Sequence, residues 1–177
     1  GTGMEPGGTV VDGNALTIGQ GGTASLSITA GGSVTSDGAF IGDKAGAEGS
    51  VSISGAGAAW VNTGGLVIGQ HGSAFVTVSS GGRLKQDGVQ LTIGAESGSN
   101  GSLLLSNTGS LDFTGPITVG DAGTGLLQLG SGAHYTAGAA VTLGEKAGGS
   151  GTLTVAAANT VMLLSGPLVV GAAGSGT

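Results

Sequence analysis

Leu91-Thr92-Ile93-Gly94 is one of seven copies of a single phrase, apolar-x-apolar-Gly. The others are Leu16-Thr17-Ile18-Gly19, Ala39-Phe40-Ile41-Gly42, Leu66-Val67-Ile68-Gly69, Ile117-Thr118-Val119-Gly120, Val141-Thr142-Leu143-Gly144 and Leu168-Val169-Val170-Gly171. Successive glycines stand 23, 27, 25, 26, 24 and 27 residues apart. A period near 25, held this closely over the chain, is the signature of a repeat architecture.

A second segment follows each of the first six glycines: Leu26-Ser27-Ile28, Val51-Ser52-Ile53, Val76-Thr77-Val78, Leu103-Leu104-Leu105, Leu127-Gln128-Leu129 and Leu153-Thr154-Val155. Apolar outer positions around a mostly polar centre indicate a strand with one buried face. A third apolar point comes next, at Val34, Trp60, Leu84, Leu111, Tyr135 and Val161. No window carries helical periodicity over three turns, and the glycine density opposes helix. A sandwich predicts hairpin signals between neighbouring strands, not identical units returning in phase. The expectation is therefore an all-β chain: a right-handed parallel β-helix with three strands per coil and about seven coils. One coil cannot bury its own aliphatic face, whereas stacked coils share a continuous core.

Spacing from the repeat glycine to the next apolar segment alternates without a break: 7, 9, 7, 9, 7 and 9 residues. The longer stretches are Asp43–Gly49, Ala95–Gly101 and Glu145–Gly151. They are expected to project from one edge on every second coil, about 9.6 Å apart, as a ridge. Asp43, Lys44, Glu48, Glu96, Asn100, Glu145 and Lys146 are its candidate interaction residues.

Composition narrows the partners. Charged residues make up only 8% of the chain and the net charge is −6. Lys44, Arg83, Lys85 and Lys146 are too few and too scattered to neutralise a row of phosphates, which disfavours nucleic acid and anionic membrane as partners. The absence of Cys removes disulfides and thiolate metal sites.

Chemistry-bearing patterns are sparse. Asp121 and Glu145 each follow a repeat glycine in adjacent coils, so stacking sets their Cα atoms about one strand spacing apart, and glycoside hydrolysis needs two acids at a defined separation around a sugar groove. They read as solvated loop acids with no basic residue adjoining them. His71 and His134 occupy different repeat positions and are not expected to share a metal. No cofactor, metal or catalytic residue is expected. Trp60 and Tyr135 sit at the third apolar point and read as packing residues, whereas Phe40 and Phe75 stand where Ser or Thr often appears and read as exposed aromatics in different strand columns. Thr92, Thr118 and Thr142 form a short outward column, the raw material of an ice-binding ladder, interrupted by Phe40, Val67 and Val169.

The run Val51-Ser52-Ile53-Ser54-Gly55-Ala56-Gly57-Ala58-Ala59-Trp60, followed by Leu66-Val67-Ile68-Gly69 and Gly81-Gly82, resembles the type V secretion/PEP-CTERM-associated repeat of bacterial autotransporter passengers. The resemblance covers roughly Val11 to Gly171, although the Gly-x-Gly-x-x-Trp element occurs once and Leu, Tyr or Val replaces the Trp elsewhere. It implies a secreted or cell-surface bacterial β-helix acting as an adhesin or stalk without catalysis. The expected partners are a host or bacterial surface glycan or protein, or a second copy at the coil ends, where an uncapped β-helix exposes unpaired edges; the charge balance speaks against nucleic acid and membrane contact. The alternative reading is a β-helix that binds or degrades polysaccharide. Residues 1–10 are expected to be a partial first coil or foreign to the repeat, and 11–177 a single β-helix domain cut from a longer protein.

Overall fold

The computed structural model describes residues 2–3, 8–11, 13–87 and 89–177. It is an all-β solenoid of about seven coils, with no helix among the described residues. Three parallel sheets of eight, seven and seven strands form its faces, and each coil contributes one strand to each. In a central coil, Leu66–Ile68 lies on the narrow sheet built from the repeated phrase, Ser73–Ser79 on a broad sheet, and Arg83–Gln86 on a middle sheet. The next coil returns to the narrow sheet at Leu91–Ile93. Thr2–Gly3 and Thr9–Val11 pair with Leu26–Ser27 and Ser33–Thr35, so they belong to the coil stack.

Register is unbroken along the rod. Leu66 pairs with Leu91, Leu91 with Ile117 and Ile117 with Val141, and the broad sheet repeats this with Val51, Val76, Leu103 and Leu127. All these side chains point inward and are buried in one continuous aliphatic core. At the usual strand spacing seven coils make a rod of about 34 Å.

The repeat glycine forms the corner between the narrow and broad sheets. Gly69 has φ +77°, and a Cβ there would lie 2.6 Å from the Asn100 carbonyl oxygen of the next coil. Two constraints, a left-handed backbone and a close approach of stacked coils, thus hold one residue to glycine.

Three features depart from the sequence reading. First, broad-sheet strands start earlier than the apolar segments do, at Glu48 and Asn100 for example. Their second, inward residue is Gly49 or Gly101, where a Cβ would collide with the neighbouring corner, so extended backbone there carries turn-like sequence. Second, the residue that continues the Trp60 and Tyr135 column is Met162, not Val161. Val161 faces outward, because the loop before it is one residue longer and holds Ala157 and Asn159 at positive φ. Third, each middle-sheet strand has a second inward position, and Ser36, Asn62 and Gln86 occupy it in three consecutive coils, fully buried.

These three form a hydrogen-bonded ladder inside the rod. Trp60 Nε1 donates to Ser36 Oγ at 3.0 Å, and Ser36 Oγ donates to Asn62 Oδ1 at 2.8 Å. Gly38 N–H also donates to Asn62 Oδ1, at 2.9 Å. Asn62 Nδ2 donates to Gln86 Oε1 at 2.7 Å and to the Gly64 carbonyl at 2.9 Å, and Gln86 Nε2 donates to Gly64 as well. Buried polar groups are tolerable when paired in this way.

Tyr135, the only tyrosine in the chain, is buried with its hydroxyl unpartnered among the described residues. Burial disfavours the phenolate and raises its pKa well above the ordinary value of about 10. A folded-state pKa raised in this way contributes stability that is complete below about pH 10 and is lost as pH climbs from there towards the folded value. Phenolate absorbance is therefore expected to stay flat past pH 10 and to rise only as Trp60 fluorescence reports unfolding. A titration near pH 10 with the fluorescence unchanged would contradict the burial.

Candidate functional site

The corner after the repeat glycine carries the ridge. Its long loops all connect the narrow to the broad sheet, on every second coil. Each contains a tight turn closed by one backbone bond: Ala47 N–H to Lys44 O, Ser99 N–H to Glu96 O and Gly149 N–H to Lys146 O. The third residue of each turn is Gly46, Gly98 or Gly148, at φ +77°, +82° and +86°. The tips stand clear of the rod, since a Cβ on any of these glycines would meet nothing within 4 Å. Their bases join the ladder: Ser73, Thr124 and Ser175 of the following coils donate N–H to Ala47, Ser99 and Gly149.

Of the ridge candidates, Asp43, Lys44, Glu96, Glu145 and Lys146 lie in these loops. Glu48 and Asn100 do not. They open strands of the broad sheet and point outward on its face.

There they meet Phe75, and the three residues line a single groove of about 330 Å³. Along each broad strand, outward residues stand two apart, so two columns of side chains enclose a trough parallel to the rod. One wall is Thr23, Glu48, Ser73, Asn100 and Thr124, paired in register across five strands. The other is Ser50, Phe75 and Ser102. The floor is backbone between them, at Ala24, Gly49, Ala74 and Gly101. Phe75 occupies the central strand and is 48% exposed, because its cross-strand neighbours Ser50 and Ser102 are too short to cover it.

Among the described residues Glu48 is the one charged residue lining this trough, and Thr23 Oγ1 donates to its Oε2 at 3.5 Å.

The remaining candidates lie elsewhere. Phe40 is half-buried on the narrow sheet. His71 sits at the corner with Nδ1 2.9 Å from the Asp43 carbonyl, and His134 opens a strand of the middle sheet. Asp121 and Glu145 follow corner glycines that stack in adjacent coils, with Glu145 N–H bonded to Gly120 O. A basic residue does adjoin them, contrary to the sequence reading. Lys146 Nζ lies 2.9 Å from Asp121 Oδ2, and that bond and charge raise the pKa of the ammonium. Parallel stacking causes the contact, by bringing the residue after Glu145 over Asp121. Nor is Asp121 freely solvated: its side chain is 15% exposed and Oδ1 is buried. Glu145 Oε2 accepts the Thr118 hydroxyl at 2.8 Å, while Gln90 donates to the same hydroxyl. Thr118, beneath these contacts, is 4% exposed, and Thr92 in the adjacent coil is 9% exposed.

No family model, curated protein or solved structure matches the chain.

Proposed function

We propose that this chain is a structural and adhesive passenger segment of a bacterial surface autotransporter. It is a stiff, non-catalytic rod that holds an interaction surface away from the cell. The observation that carries this reading is the unbroken, in-register parallel pairing on all three faces over one continuous core. Every coil is bonded to its neighbours by backbone ladders, so bending the rod strains many bonds at once. The likeness of Val51–Trp60 to autotransporter-associated repeats supports the placement at a cell surface. The exposed groove and the ridge beside it give such a rod something to present.

The test is surface labelling. Antibodies raised against the chain are expected to stain intact cells of the source bacterium, and added protease is expected to remove the stain. Staining that appears only after lysis overturns the proposal.

A further inference from the structure

We infer that the trough on the broad sheet is a binding site for a neutral, extended polysaccharide chain. The groove is straight, because Thr23, Glu48, Ser73, Asn100 and Thr124 stack without a register shift over about 19 Å. Hydroxyl, carboxylate and amide groups therefore recur along one wall at the strand spacing, with the exposed ring of Phe75 midway along the other. A linear pyranose chain has matching chemistry. Its hydroxyl groups recur ring by ring, and its C–H faces pack on aromatic carbon.

Other occupants fit less well. A peptide that adds to a sheet needs the free N–H and C=O groups of an edge, whereas this trough crosses the face of five paired strands. An anionic glycan or nucleic acid would meet Glu48 with no cation among the described lining residues. Strand-by-strand repetition favours a straight chain over a helical one.

The inference rests on the scaffold reading only for where the glycan is met, so binding in solution and surface labelling can fail separately. The test is titration calorimetry of the whole chain with cellohexaose, mannohexaose, maltohexaose and a galacturonic acid hexamer. One of the two extended neutral hexaoses is expected to bind with a Kd of the order of 0.1 to 1 mM. Phe75→Ala is expected to weaken it about tenfold, and Asn100→Ala to weaken it less. Phe40→Ala, on another sheet, should leave binding unchanged. Circular dichroism of Phe75→Ala should match the parent, since the ring is exposed. Failure of both extended hexaoses to bind at millimolar concentration overturns the inference. So does stronger binding of maltohexaose or the acidic hexamer, or an unchanged Kd in Phe75→Ala.

Discussion

Gly69→Ala is expected to cost about 3 kcal/mol of stability or more, and Gly46→Ala only about 1 kcal/mol. The two glycines are a matched pair, since both have φ +77°. An alanine in either place accepts the same left-handed backbone penalty, about 1–2 kcal/mol. Only their surroundings differ. Around Gly46 a new Cβ meets open space. At Gly69 it meets Asn100 O at 2.6 Å, Asn100 C at 2.7 Å and Gly101 N at 2.9 Å, all backbone of the next coil. No rotamer change relieves such a contact. The coils must separate locally, and the ladder bond from Gly94 N–H to Ile68 O lies directly beside it. Urea unfolding followed by Trp60 fluorescence measures both variants against the parent. Equal losses would mean that the glycine is kept for its φ alone, and that the close approach of coils contributes nothing.

That pair also shows what is legible in a repeat sequence. The corner glycine is visible because both of its constraints recur in every coil, and recurrence is what a sequence displays. The 7 and 9 alternation is visible for the same reason and corresponds to ridge loops on alternate coils. Trp60 and Tyr135 are visible as core because each holds the place of an aliphatic residue in the neighbouring coils. The start of each broad strand is hidden, since its inward position has no room for a Cβ and carries Gly49 or Gly101. Glu48 and Asn100 therefore read as loop residues, and the groove they share with Phe75 could not be assembled from spacing alone. The Lys146–Asp121 contact was within reach, because stacking of Glu145 over Asp121's coil implies it once parallel register is granted. The Ser36, Asn62 and Gln86 ladder gives a weaker signal: three polar residues, each two places after a core position, resemble an exposed strand end until the register puts them inside.

Asn62 is the member of that ladder on which the others depend, and Asn62→Leu is expected to cost about 4 kcal/mol. Leucine keeps the branched shape of asparagine and is larger, so the loss comes from broken pairing and crowding rather than from a cavity. Without the amide, the Ser36 hydroxyl and the Gly38 N–H lose their acceptor, and Gln86 Oε1 loses its donor. Each buried group left unsatisfied costs about 1–3 kcal/mol. Gln86→Leu should cost only about 1 kcal/mol, because Asn62 Nδ2 still reaches the Gly64 and Gly65 carbonyls and Gly64 keeps that donor. The column itself tolerates apolar residues, since the next coils place Phe113 and Ala137 at the same position. In the double variant, no Gln86 amide remains for Asn62→Leu to orphan. Its cost should fall short of the sum of the single losses, a coupling of about 1 kcal/mol in a double-mutant cycle. Thermal and urea unfolding of the three variants decide the matter. Additive losses, or an Asn62→Leu protein within about 1 kcal/mol of the parent, would show that the ladder fills space without holding the coils in register.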